Sequence, residues 1–214
     1  MNMIIKTCGL KSAEIVAHSV KHGVDQIGFI FFEKSPRHVK VSEASDASEP
    51  ARGKAEIVAV TVNASDVYLD QIVSGLSPDM LQLHGSEDAA RVIELKSRYN
   101  LPIMKALSIA TEEDLRKVDA YIDVADRLLL DAKAPKGSEL PGGNGVSFDW
   151  SLLDQINPGA KYMLSGGLDA TNVCDAIEKT EAIGIDLSSG IESAPGVKDK
   201  KLMDGFFQAV QLCV

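Results

Sequence analysis

Apolar positions along this chain repeat one pattern eight times: a short run rich in Ile, Val, Leu and Phe, then a longer stretch with apolar residues at helical spacing. The runs at residues 3–7, 26–31, 56–62, 80–83, 102–106, 127–131, 161–165 and 182–187 predict strands. Between them, Ser12 opens a helix that carries Ala13, Val16, Ala17 and Val20 on one face and stops at Gly23. A weaker helix is predicted over 42–51. Ser65 caps the next, to about residue 75, and Ser86 caps one to about residue 98. Thr111-Glu112-Glu113-Asp114 reads as a capping box. Residues 149–155 form a short helix, with Phe148 and Trp150 packing it inward. Further helices are predicted over 171–178 and 199–212.

Strands joined by helical crossovers pair in parallel. Eight such units predict closure into a (β/α)8 TIM barrel rather than an open sheet. At 214 residues the chain is near the lower end for that fold, so a single domain over 1–214 is expected. The one long irregular stretch, 132–147, is rich in Gly and Pro and reads as a functional loop.

Composition narrows the function. Hydrophobic residues make up 45% and charged residues 25%, an ordinary globular balance. A net charge of -9 argues against a nucleic-acid partner while leaving room for a small anion held by local dipoles. No run approaches the roughly 18 apolar residues of a membrane span, and the N-terminus enters a strand without a signal-peptide pattern. Cys8, Cys174 and Cys213 are odd in number and lack metal-ligand spacing, so neither a disulfide nor a metal site is expected. A reduced, cytoplasmic protein follows.

In this fold the active site forms at the C-terminal strand ends. Those ends carry Cys8, the segment Ser35-Pro36-Arg37, Asn63, Gln82 with His84, Ala106, Asp131, Ser165 and Asp186. Ser165-Gly166-Gly167 and Ser188-Ser189-Gly190 follow the last two strands, where barrels commonly hold a phosphate on backbone N–H groups. Either turn alone reads more readily as glycine punctuation, whereas two at both expected positions favour the phosphate site. Asp131 ends a run of leucines, where burial suits a general acid. Cys8 reads both as a small buried hydrophobe and as a reacting thiolate. Lys6, two residues back, shares its strand face. It is either a solvated end-of-barrel lysine or a cation held by Asp186 on the neighbouring strand. Arg37 suits a substrate carboxylate or is a surface arginine. His84 reads as polar lining.

The chain also resembles the phosphoribosylanthranilate isomerase family. The resemblance runs through Lys6-Thr7-Cys8-Gly9-Leu10, Gly28-Phe29-Ile30-Phe31, Lys34-Ser35-Pro36-Arg37-His38-Val39 and Gln82-Leu83-His84-Gly85. It continues through Leu130-Asp131-Ala132-Lys133, Gly142-Gly143-Asn144-Gly145, Phe148-Asp149-Trp150, Ser165-Gly166-Gly167-Leu168 and Asp186-Leu187-Ser188-Ser189-Gly190-Ile191-Glu192. Thr7 stands where a bulkier aliphatic residue is usual, and Asn144 where Thr or Ser is common. The resemblance implies an Amadori rearrangement without metal or organic cofactor, on a small phosphoribosyl substrate. It implies Asp131 as general acid, Cys8 as general base, and Arg37, Gln82, His84 and Asp186 as substrate ligands. Gly143, Gly145, Gly166, Gly167, Ser188, Ser189 and Gly190 would hold the phosphate. Two alternatives stand beside it. One is the histidine-pathway phosphoribosyl aminoimidazole isomerase, which carries Asp where this chain has Cys8. The other is a non-catalytic phosphosugar-binding barrel, against which the retention of Cys8 and Asp131 speaks. Either a monomer or a homodimer is compatible with the sequence.

Overall fold

The structure is a computed structural model that describes residues 3–133, 142, 143, 145 and 147–213. Most of the loop predicted at 132–147, Asn144 included, lies outside the described residues. Eight strands close in sequence order: β1 (Ile4–Cys8), β2 (Gln26–Phe31), β3 (Glu56–Thr61), β4 (Met80–Leu83), β5 (Ile103–Ile109), β6 (Arg127–Ala132), β7 (Tyr162–Leu164) and β8 (Gly184–Leu187). All neighbouring pairs are parallel, and β8 returns to β1. The helices α1 (Ala13–Lys21), α2 (Val41–Ser48), α3 (Asp66–Leu76), α4 (Ala89–Tyr99), α5 (Glu112–Arg116), α6 (Val173–Lys179) and α7 (Lys200–Cys213) accompany them. Between β6 and β7 the predicted short helix is a 3-10 helix, Trp150–Gln155.

Period-two alternation sorts the strand residues into two apolar layers. Ile27, Phe29, Ile57, Ala59, Leu81, Leu83, Ile185 and their counterparts face the helices. Cys8, Val58, Val60, Met80, Met104, Ala106, Leu129 and Met163 fill the barrel itself. The inner layer thus leans on methionine, which fits an irregular space better than branched side chains do.

Boundaries moved where long-range contacts override local signals. β5 runs three residues beyond the predicted end, because Leu107, Ser108 and Ile109 pair with Leu130, Asp131 and Ala132. The cap of α4 is Asp88, which accepts from the Arg91 N–H, rather than Ser86. Ser86 is instead engaged by the Asn63 side chain. A hairpin of β9 (Glu192–Ala194) and β10 (Val197–Lys198), absent from the sequence reading, separates β8 from α7. The expectation that no disulfide forms is also corrected: Cys174 on α6 and Cys213 on α7 are bonded, leaving Cys8 as the free thiol. Packing of two helices brings together cysteines 39 residues apart, which spacing alone does not signal.

The N-terminal end of the barrel carries a repeated device. Asp25, Asp79 and Asp126 each stand just before an even-numbered strand. Their carboxylates accept the N–H of Ile5, Ile57 and Ile103 at 2.8, 2.8 and 2.9 Å. Each also donates its own N–H to the carbonyl of the same residue. β1–β2, β3–β4 and β5–β6 are stapled in this way. Before β8 the corresponding residue is Ile183, whose N–H bonds to the Tyr162 carbonyl and whose carbonyl accepts from Ile4 on β1.

Of the capping box predicted at α5, the Thr111 half forms, while the Asp114 carboxylate reaches one residue further back, to the Ala110 N–H, instead of the Thr111 N–H. Thr111 accepts from the Asp114 N–H, and Asp114 accepts from Ala110 and from the Thr111 hydroxyl. Burial pushes the Asp114 carboxyl up, but Lys117 at 2.8 Å and Lys133 at 3.2 Å overcome this and hold it at about 2. In the unfolded chain an aspartate ionises near pH ~4. The group therefore adds stability that is present above that value and is lost as pH falls through the folded one. Asp114→Asn should cost about 0.5–2 kcal/mol at neutral pH. The gap to the parent protein, followed by urea unfolding, should narrow between about pH 4 and about pH 2. A pH-independent gap would show that the charge of Asp114 plays no part.

Candidate active site

Strand β1 delivers Lys6 and Cys8 to the barrel interior, two residues apart on one face. Their space comes from β2, where Gly28 lies opposite Cys8 in the ladder. A Cβ at Gly28 would stand 2.8 Å from Cys8 Sγ and 3.2 Å from Lys6 Nζ, so a side chain there would displace one of them. Lys6 is fully buried, and its ammonium donates to Asp186 Oδ2 at 2.9 Å across the β1–β8 ladder. Of the two readings for this lysine, the structure selects the interior cation. Burial pulls the Lys6 ammonium down, but Asp186 and Cys8 outweigh it and hold its pKa above the ordinary value. The reverse holds at Cys8: burial pushes the thiol up, and the opposing pull of Lys6 and Lys198 only partly offsets it.

Asp131, at the end of β6, is 2% exposed, and its Oδ2 lies 3.3 Å from His84 Nε2. His84 follows β4 and lies 3.3 Å through Nδ1 from Gln82 Nε2. Gln82 Oε1 and Asp186 Oδ1 are buried with no partner among the described residues, so both are available to a ligand's donors. One cavity at the C-terminal strand ends is lined by Cys8, Asp131, Arg37, Gln82, His84 and Asp186 together.

Arg37 is no surface residue. It is 4% exposed, and its Nε and Nη2 each donate to Glu192 at 2.8 Å while Nη2 also reaches the Gly143 carbonyl at 3.3 Å. Glu192 is held in turn by Lys198, whose ammonium donates to Glu192 Oε1 at 2.8 Å and to the Ser188 carbonyl at 2.9 Å. Burial lowers the Lys198 ammonium to about 8, with Glu192 pulling the other way. Sequence reading did not assign Glu192 or Lys198 to the site. Their signal was the Pro195-Gly196 pair, a hairpin turn that folds β10 back against the strand-eight loop.

Of the residues predicted to hold an anion, Gly143, Gly166, Gly167, Ser188 and Ser189 line the cavity. Gly166 and Gly167 both have positive φ, +95° and +64°, and a Cβ at Gly166 would stand 2.5 Å from the Ala132 nitrogen. Only glycine lets the backbone turn here, directly after β7. Gly145 faces Ser189 Oγ, whereas Gly190 does not line the cavity and packs on the Leu168 carbonyl. The Lys198 ammonium, bonded to Ser188, adds positive charge behind these turns.

Comparison with known proteins gives a consistent result. Residues 5–209 match the family model described as N-(5'phosphoribosyl)anthranilate (PRA) isomerase. The N-(5'-phosphoribosyl)anthranilate isomerase of Rhizobium leguminosarum bv. trifolii is 58% identical over 207 residues, covering 97% of this chain and 93% of its own. The crystal structure of phosphoribosyl anthranilate isomerase from Thermotoga maritima is 30% identical with a TM-score of 0.83, covering 98% of this chain and 99% of its own. A structure of such an isomerase in complex with reduced 1-(o-carboxyphenylamino)-1-deoxyribulose 5-phosphate is 28% identical, also with a TM-score of 0.83, over 98% and 99% of the two chains.

The two glycine turns make a direct expectation for anions. Inorganic phosphate or sulfate should raise Tm in a concentration-dependent way, because a ligand bound only by the folded chain stabilises it. Ser189→Asp places a negative charge at the cavity wall and should abolish that rise while changing the anion-free Tm little. An undiminished rise in the variant would place the anion elsewhere.

Proposed function

The chain belongs to the N-(5'-phosphoribosyl)anthranilate isomerase family, and we propose that Asp131 and Cys8 are the acid and the base of its reaction. The enzyme isomerises N-(5-phosphoribosyl)anthranilate in tryptophan biosynthesis. The observation that carries the assignment is the shared cavity. One carboxyl and one thiol, each nearly devoid of solvent, open beside a buried guanidinium and a pair of glycine turns. The same barrel end thus offers a proton donor, a proton acceptor and anchors for two anionic groups.

In the proposed sequence Asp131 protonates the ribose ring oxygen, the C1–O bond breaks, and the nitrogen lone pair forms a C1=N iminium. The Cys8 thiolate then takes the C2 proton. The C2–H electrons form a C1=C2 bond and the nitrogen becomes neutral again, giving an enolamine. This tautomerises to the 2-ketone, with a proton arriving at C1. One step of such a sequence needs a proton donor and the next a proton acceptor. The iminium matters to Cys8 as well. Burial pushes the resting thiol up, so Cys8 must first release its proton to solvent, and a cation forming beside it favours that release before the C2 proton is taken. Arg37 would bind the anthranilate carboxylate. The unpartnered Gln82 and Asp186 oxygens would accept from ribose hydroxyls, with His84 beside Asp131. Gly143, Gly145, Gly166, Gly167, Ser188 and Ser189 would surround the phosphate, with Gly190 behind them shaping the turn. The histidine-pathway alternative needs an aspartate at the end of β1, where this chain has Cys8. A single domain and a cytoplasmic place of action belong to the same proposal; among the described residues no helix is long and apolar enough to cross a membrane.

Asp131→Asn and Cys8→Ser should each lower kcat by about 100- to 10,000-fold with the fold retained by circular dichroism. The assay follows the loss of anthranilate-type fluorescence. Near-parental turnover in either variant removes that residue from its role.

Lys6 acts through Cys8 and is a positioning residue. Lys6→Met keeps the apolar stem and removes the charge that opposes desolvation of the thiolate. A cation-stabilised thiolate loses its proton at lower pH than an unassisted one, so removal should move the base limb of the kcat/KM profile to higher pH. Activity should fall at neutral pH and partly recover in alkali. A profile of unchanged shape, merely scaled down, would mean that Lys6 only supports the barrel.

A further inference from the structure

On the outer surface, two histidines and an aspartate converge on one point. His18 lies on α1 and His22 caps its C-terminal end, one turn later and therefore on the same helix face. Asp204 comes from α7, the neighbouring helix across the seam where β8 meets β1. The Nε2 atoms of His18 and His22 lie 2.7 and 2.8 Å from the same oxygen, Asp204 Oδ1. The rings are fixed as well as close. His22 stacks on Phe207 at 4.5 Å with 9° between planes, and His18 meets His22 edge-on at 5.0 Å. Both histidines are partly buried and Asp204 is about half exposed, so the point of convergence opens to solvent.

We propose that His18, His22 and Asp204 form a binding site for a divalent transition metal, Zn2+ in the first instance, that clamps α1 to α7. Two imidazole nitrogens and one carboxylate oxygen suit Zn2+ and its late first-row neighbours, and not Ca2+ or Mg2+, which take oxygen ligands. The three ligand atoms lie within 4.8 Å of one another. A tetrahedral Zn2+ with bonds of about 2.0 Å separates its ligands by roughly 3.3 Å. The present contacts need to open by about half an ångström, which the half-exposed Asp204 side chain can supply by rotation. Three protein ligands leave a fourth position to water. Stacking on Phe207 fixes the His22 ring with Nε2 toward Asp204, so little side-chain freedom is lost on binding. The site lies on the helical layer and shares no residue with the cavity at the strand ends. Its effect falls on stability and not on turnover.

The test uses tag-free protein in a Cys8→Ser background, with Cys174 and Cys213 in their disulfide, so that no free thiol competes for metal. Zn2+ is titrated by calorimetry and Co2+ by visible absorption. The expected result is one ion per chain, a nitrogen- and oxygen-ligated Co2+ spectrum, and a Zn2+-dependent rise in Tm reversed by EDTA. His18→Gln and Asp204→Asn should each weaken binding by roughly tenfold or more and remove the rise in Tm. Asp204→Asn keeps an oxygen able to accept from the histidines, so it separates metal binding from the metal-free hydrogen bonds. The proposal is overturned by the absence of stoichiometric binding, or by binding that both variants leave intact. Stoichiometric Zn2+ binding with an unchanged Tm would likewise overturn it, by placing the metal away from the α1–α7 seam.

Discussion

A lysine ammonium with no exposed surface has to be compensated, and the whole barrel turns on where Lys6 finds its partner. Leaving such a charge buried alone costs several kcal/mol even after relaxation. Asp186 stands directly opposite in the β1–β8 ladder, so the compensation is made across the one joint where the two ends of the sheet meet. A slip of one residue in that register would turn either side chain out of the barrel. Closure of the fold and placement of a cation beneath Cys8 are therefore a single event. The glycine at position 28 completes it from the other side, because any side chain there would intrude on both the thiol and the ammonium.

The same logic extends upward through Arg37, Glu192 and Lys198. All three are nearly buried at the rim of the cavity, and Glu192 sits between the two cations. This leaves the group one positive charge in excess, aimed at the region where the glycine turns and Ser188 meet. A protein whose net charge is -9 can in this way present a locally positive interior to an anionic substrate. Glu192 stops the two cations from repelling each other and fixes the guanidinium plane by a two-point contact.

Much of this was legible in the sequence because period-two alternation and strand-end position are local properties. Cys8, Gln82, Asp131 and Asp186 each end or nearly end an apolar run, so their address in a barrel follows from counting. What escaped were features set by partners far along the chain. β5 continues past Ala106 because β6 is there to pair with it. Ser86 gives up its capping role because Asn63, from another loop, engages it. The Cys174–Cys213 bond depends on two helices packing side by side. Lys198 reads as the run-in to a helix until the Pro195-Gly196 turn is recognised as a hairpin. The two readings left open for Lys6 and Arg37 had the same cause, since burial of a long charged side chain is decided by its surroundings.

The staples at the base of the barrel bear on the order in which the chain can be assembled. Each of Asp25, Asp79 and Asp126 reaches back to a strand already made, so its bonds become available as soon as the second strand of its pair leaves the ribosome. Three two-strand units can therefore be secured one after another while the rest is still being translated. The fourth has no such clasp. Ile183 offers only backbone, and its carbonyl is taken by Ile4 at the opposite terminus. The last pair is held by backbone alone, and the carbonyl of its joining residue is spent on the first strand, so this corner of the base is secured by closing the ring rather than by a clasp of its own.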